Sequence, residues 1–205
     1  MRLFTGLAIP DRIASKITWA IEELRPTADL RWSNPANLHI TTKFIGAWPE
    51  EKLPELQRTL AALEPTARFE VTVSHFGFWP NPHQPSIFFA AVQPSTELQT
   101  LARRIGEALS VLGCEPEKNT YSPHITLARV KRANIGALRE KVAAMANMNN
   151  FDFGSFAPQE FFLYSSTPSP EGSVYTKLSG FSLIRSGPEA GRASETGRAS
   201  ETGQA

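Results

Sequence analysis

At 205 residues, 41% hydrophobic and 20% charged, the chain suits one sizeable soluble domain or two small lobes sharing a core. A formal net charge of +1 excludes a basic coat for long nucleic acid, so any phosphate site is local. A single cysteine, Cys114, excludes an intramolecular disulfide and a multi-cysteine zinc site. That usage fits a reducing cytoplasm, the expected location. No run approaches the roughly 20 apolar residues of a membrane span. The opening MRLFTGLAIPDR lacks the length and cleavage site of a signal peptide.

In chain order, Arg2–Ile9 reads as a buried strand. Pro10–Arg25 follows as a helix, with Ile13, Ile17, Ala20, Ile21 and Leu24 at helical spacing. Asp29–Trp32 is a short strand, SNPAN a turn, and Leu38–Gly46 (LHITTKFIG) the next strand. Pro49–Pro65 is a second helix. Ala67–Pro80 alternates, with Phe69, Val71 and Val73 on one face, and Ser86–Val92 returns as its hairpin partner. Ser95 is a good N-cap for a third helix to Gly113, which would bury Leu98, Leu101, Ile105 and Leu109. Ser122–Val130 (SPHITLARV) is a strand and Ala133–Met148 a fourth helix. Strands at 158–166 and 173–184 close the fold. Each His-Ile-Thr strand precedes a helix and a strand pair, so the chain reads as two similar lobes, α+β and mostly antiparallel.

The end of the chain differs. GRASET occurs twice, at Gly191–Thr196 and Gly197–Thr202, with no large apolar residue nearby. Such a segment cannot repay the entropy of ordering. The expected division is a two-lobed domain over 1–186 and a disordered tail over 187–205.

Two of the four histidines sit in copies of one tripeptide, His39-Ile40-Thr41 and His124-Ile125-Thr126, 85 residues apart. On a strand, residues two apart share a face. His39 and Thr41 therefore point one way and Ile40 the other, and likewise for His124, Thr126 and Ile125. If the strands adjoin, two imidazoles and two hydroxyls converge. An imidazole titrates near neutrality, so two of them make a general base and a general acid. Threonine hydroxyls, stiffened by β-branching, can hold an oxyanion. In-line displacement at a phosphodiester suits this set and requires no metal.

Other readings of these residues are weaker. Zinc wants three or four ligands, and His75 and His83 lie at no ligand spacing from the pair. Cys114 has no nucleophile context, and no G-x-S-x-G elbow exists. Lys43 continues the face of His39 and Thr41 and would supply positive charge to a phosphate. Arg129, five residues after His124, points away by strict alternation and needs a bulge to reach the same cleft. Arg31 and Trp32 are candidates for a base pocket, and Phe4 and Tyr121 for stacking.

These segments resemble the two-histidine phosphoesterase superfamily, most closely the RNA 2′,3′-cyclic phosphodiesterases, also called 2′-5′ RNA ligases. The likeness runs in order through MRLFTGLAIP, LRWSNPANLHITTKFIG, GFWPNPHQPSIFFAAV, SPHITLAR and FFLYSSTPSPEGSVYTKL. It implies a bilobal α+β fold with a pseudo-twofold axis, helices outside and both motifs lining a central cleft. It implies hydrolysis of an RNA-terminal 2′,3′-cyclic phosphate to a 2′-phosphomonoester, with no metal or other cofactor. Reversible 2′-5′ ligation of RNA and hydrolysis of small cyclic phosphates stay open beside it, as does an idle RNA-end binder. His39 would be the proton donor, His124 the acceptor, and Thr41 and Thr126 the phosphate holders. The expected partner is an RNA 3′ terminus or a small nucleotide, bound by a monomer. Two departures stand out: Thr42 occupies a position where leucine is common, and His83 and Gln84 replace frequent arginines.

Overall fold

A computed structural model of the chain describes residues 1–66, 68–117, 119–131, 134–149, 152–170 and 172–183. The expected tail, 187–205, lies outside the described residues. Among the described residues there are nine strands: β1 (Arg2–Ala8), β2 (Arg31–Trp32), β3 (His39–Ala47), β4 (Val71–Trp79), β5 (Ile87–Val92), β6 (His124–Arg129), β7 (Asp152–Phe156), β8 (Glu160–Ser169) and β9 (Gly172–Ser182). The α-helices among these residues are α1 (Asp11–Leu24), α2 (Leu53–Ala61), α3 (Thr96–Ser110) and α4 (Gly136–Asn149).

The helices follow their apolar spacing. Ile13, Ile17, Ala20, Ile21 and Leu24 of α1 are buried, as are Leu98, Leu101, Ala102, Ile105 and Leu109 of α3. The Ser95 hydroxyl accepts from the Leu98 amide at 3.1 Å, satisfying an amide that the first turn leaves unpaired. α1 has no side-chain cap; the Pro10 carbonyl takes the Ile13 and Ala14 amides at 2.9 Å instead. The second helix is shorter than its pattern, opening as a 3₁₀ turn over Glu50–Lys52 before α2 begins.

The strands form two sheets of antiparallel pairs, in the orders β3-β1-β8-β9 and β2-β6-β5-β4-β7. Apart from β2, the two orders correspond strand for strand, with the His-Ile-Thr strands β3 and β6 beside β1 and β5 respectively. The segment β1-α1-β3 recurs as β5-α3-β6 at the same 85-residue spacing as the histidines. The lobes are nevertheless not successive pieces of chain. β4 follows the first motif yet joins the second sheet, and β8 follows the second motif yet joins the first. Two helices cross as well: α3 packs on β3 and α1 on β7, while α2 stays with β9 of its own sheet. This exchange welds the lobes around one core, in which Ile40, Ile125, Phe88 and Leu163 are all fully buried.

Candidate active site

The two motif strands approach each other from different sheets. Between them lies a cleft whose walls include His39, Thr41, His124 and Thr126. Backbone carbonyls fix both imidazoles in the same way. His39 Nδ1 lies 2.6 Å from the carbonyl oxygen of Asn37, and His124 Nδ1 lies 2.9 Å from that of Ser122. A carbonyl only accepts, so each Nδ1 carries the proton. The neutral tautomer therefore leaves Nε2 as the free, basic edge. His39 Nε2 is 3.0 Å from the Thr41 hydroxyl.

Reciprocal ties hold the motifs in place. The Tyr121 hydroxyl, from the loop entering β6, donates to the Thr41 carbonyl at 3.0 Å. The Ser33 hydroxyl, from the segment entering β3, donates to the Thr126 carbonyl at 2.7 Å. The approach to each motif thus braces the other motif. Tyr121, expected among the stacking candidates, is used for this tie and does not line the cleft; burial raises its phenol pKa.

A bulge sits at the same place in each motif strand. Pairing runs from Gly6–Thr41 to Thr5–Lys43, so Thr42 has no opposite residue. It runs from Phe89–Thr126 to Phe88–Ala128, so Leu127 has none. A bulge turns two consecutive side chains to one side and resets the alternation after them. Thr42 and Lys43 are accordingly both buried, as are Leu127 and Ala128. The residue five after each histidine then faces the cleft: Phe44 in one strand, Arg129 in the other.

This corrects the expectation for Lys43. Only 3% exposed, it points away from the cleft, donates to the Glu115 carbonyl at 2.6 Å and pairs with Glu117 at 3.2 Å. Arg129 does reach the cleft, by the bulge that its position required. Thr42 is buried without penalty because its hydroxyl meets that of Thr5 at 2.7 Å. Phe4, Arg31 and Trp32 line the cleft as expected. His75 and His83 do not; their hydrogen bonds are to Ser74 and Asn81.

Of the wall residues that were not foreseen, three bear most on the site. Phe44 is 63% exposed, so its ring is offered to the cleft. Tyr175, near the start of β9, meets the His39 ring edge-on at 5.2 Å. The Asn37 carbonyl accepts from His39 Nδ1–H while its side-chain amide donates to the Ser173 carbonyl at 2.6 Å. It thereby fastens the β8–β9 end of the cleft to the imidazole. The 85-residue spacing, which aligns Phe44 with Arg129, was the one signal that could have found Phe44.

Burial lowers the pKa of His39; the Asn37 carbonyl opposes this, and the charge of His124 adds to it. Phe4 lies 4.7 Å from the His39 ring and stacks on Tyr164 at 4.9 Å, whose phenol burial pushes up to about 12. Gly6 permits this closeness, because a Cβ there would stand 2.7 Å from the Ile40 carbonyl oxygen and 3.4 Å from the His39 ring. Among the described residues, no three His, Cys, Asp or Glu side chains converge as a metal set. No helix among them is long and apolar enough to cross a membrane.

The family model for the 2′-5′ RNA ligase superfamily matches residues 9–167, which include both motifs. The chain belongs to this superfamily. A relative from Archaeoglobus fulgidus, named RNA 2′,3′-cyclic phosphodiesterase, is 31% identical over 88% of this chain and 99% of its own length. A Thermus thermophilus relative of the same name is 32% identical, over 89% of this chain and 90% of its own. The crystal structure of a T. thermophilus protein superposes with a TM-score of 0.71 at 27% identity, covering 89% of this chain and 98% of that one. Escherichia coli LigT, in a complex with 3′-AMP, shares the fold at a TM-score of 0.72 and 24% identity, covering 90% and 98%. The two-sheet architecture is therefore that of the superfamily.

Proposed function

We propose that the protein hydrolyses RNA-terminal 2′,3′-cyclic phosphates to 2′-phosphomonoesters through a histidine acid–base pair, with no metal. One observation carries the reading: two imidazoles, each held through Nδ1 by a backbone carbonyl and each followed two residues on by a threonine, share one cleft. The name common to the A. fulgidus and T. thermophilus relatives supports the substrate.

In this mechanism, water attacks phosphorus and gives its proton to Nε2 of neutral His124. The P–O3′ bond breaks, and O3′ takes a proton from Nε2 of charged His39. The products are a 2′-phosphate and a free 3′-hydroxyl. Both proton transfers are supplied by side chains, so the step balances without a Lewis acid. Thr41 Oγ1 lies 3.0 Å from His39 Nε2; with phosphate bound, the Nε2 proton turns to O3′ and the Thr41 hydroxyl donates to a non-bridging oxygen. Thr126 and Arg129 complete the hold on the phosphate, Arg129 with a planar fork suited to two oxygens. Phe44 offers a ring face to a base, whereas Phe4, 4% exposed between His39 and Tyr164, backs the imidazole instead. A 5′-hydroxyl in the water's place would form a 2′-5′ linkage by the same transfers.

The assignment of His39 as acid has a cost. Burial works against its charged form. The anionic phosphate supplies the missing counter-charge, so His39 gains its proton as substrate binds.

The test is a short RNA with a 2′,3′-cyclic phosphate end, incubated with the purified protein in EDTA. A 2′-phosphate product is expected, with His39→Ala and His124→Ala each slowed by about 10²- to 10⁴-fold, the usual worth of a positioned acid or base. Loss of activity in EDTA, restored by a metal, contradicts the metal-free mechanism. No product from the folded protein contradicts the RNA-end reading and directs the assay to small cyclic phosphates, then to binding alone.

A further inference from the structure

We infer that an RNA substrate leaves the cleft over Trp32, and that the depression beyond this ring is a phosphate subsite for the nucleotides 5′ of the reacting end. The inference rests on the phosphodiesterase reading and adds to it that the substrate is an oligonucleotide rather than a mononucleotide.

The two rims of the cleft differ in charge. At the β8–β9 end the walls Ser169, Gly172, Ser173, Val174 and Tyr175 supply no cation of their own, and the charge that reaches them is the Arg31 guanidinium extended from β2 toward Gly172. At the β2 end, Arg31 and Arg129 stand directly opposite each other across the β2–β6 pair. Like charges so placed cost stability unless an anion joins them. The ion pairs among the described residues are Lys43–Glu117, Arg103–Glu107 and Lys141–Glu23, so neither arginine is neutralised by a carboxylate.

The charge continues past the rim. Trp32 lines the cleft on one side and a second depression on the other, and that depression also holds Arg25, Thr27, Asp29 and Lys131. The Arg25 guanidinium carbon lies 5.8 Å from the centre of the Trp32 ring, a stacked arrangement that keeps the cation at the edge of the path. Arg25 and Lys131 are both exposed, and Asp29 shares the wall without pairing with either. The series Arg129, Arg31, Trp32, Arg25, Lys131 therefore alternates cations with one broad ring, the composition that tracks a single strand. A net charge of +1 gives the molecule no general pull on RNA, so a local track is what an oligonucleotide would require.

The experiment compares two substrates with one 3′ nucleotide: a nucleoside 2′,3′-cyclic monophosphate, and an oligonucleotide ending in the same group. The wild-type protein is expected to prefer the oligonucleotide in kcat/KM. Arg25→Gln and Lys131→Gln should each lower kcat/KM for the oligonucleotide by about fivefold, the size of one exposed charge contact. The mononucleotide, which does not reach past Trp32, should respond much less and reports that the variants are folded. The double variant should also flatten the salt dependence for the oligonucleotide alone, by about 0.7 in log–log slope for each phosphate left without its cation. Turnover of both substrates with an unchanged preference, or equal losses on both, overturns the subsite while leaving the phosphodiesterase reading intact. Turnover of neither substrate by the wild-type protein overturns both.

Discussion

Around His39 the neighbours are mostly carbon: Phe4 at 4.7 Å, Tyr175 edge-on at 5.2 Å and Tyr164 at 6.0 Å. Around His124 the described residues place one ring, Phe89 at 5.4 Å, and the two cleft arginines stand on its lobe. Phe4 and Phe89 hold equivalent places on β1 and β5, but their cross-strand partners differ. Phe4 faces Tyr164, whereas Phe89 faces Gly77, where a Cβ would stand 2.3 Å from the Phe89 ring. One lobe therefore stacks a second aromatic layer behind its histidine, and the other lays its single ring flat against a bare backbone. The same tripeptide and the same bulge thus end in two environments. One is desolvated and sends Phe44 into the cleft; the other is more open and sends Arg129. A duplicated motif becomes an acid and a base only when its copies stop being equivalent, and here the flanking rings and the residue at the fifth position separate them.

Making the halves alike should break the function. Arg129→Phe gives the second strand the fifth residue of the first and removes a charged hold on phosphate. A loss of about 1.5–3 kcal/mol, or roughly 10- to 150-fold in kcat/KM, is expected in steady-state assays. The reciprocal Phe44→Arg keeps the charge and removes only a ring, so it should cost less. Equal effects from the two would mean that the halves are interchangeable.

A gentler probe of the same contrast is pH. Burial lowers the pKa of His39 in the free protein, and its charged form is the one required of the acid. As pH rises through that lowered value the free protein loses the proton, so the alkaline limb of kcat/KM should fall at a pH below that of an ordinary histidine. Bound phosphate raises the value, so the alkaline limb of kcat should lie at higher pH than that of kcat/KM. If His39 were the base, its neutral form would be required, and the lowered pKa would govern the acid limb instead.

Helix periodicity made α1 and α3 readable residue by residue, because both bury one continuous stripe. Period-two spacing likewise placed each histidine beside its threonine. The direction of Lys43 was not readable. The bulge after Thr41 is set by pairing with β1, and no glycine or proline in TTKF marks it. Strict alternation carried Lys43 into the cleft; the bulge turned it toward Glu115 and Glu117 and brought Phe44 in. Comparing the copies gives a hint that a single strand does not, since Lys43 aligns with the apolar Ala128. The strand exchange between lobes was hidden for a related reason, because β4 and β8 choose their sheets through contacts far away in sequence. β7 is five residues long, includes Gly154 at a positive φ, and offers too little pattern to read.

The division of labour between His39 and His124 is tested most directly with a leaving group that needs no proton. The substrate would be a nucleoside 2′-phosphate esterified to 4-nitrophenol, offered to His39→Ala and His124→Ala. Loss of the acid should then matter little, and His39→Ala should recover most of the wild-type rate, while His124→Ala stays slow for want of a base. Recovery by His124→Ala with His39→Ala still slow would reverse the assignment and contradict the account.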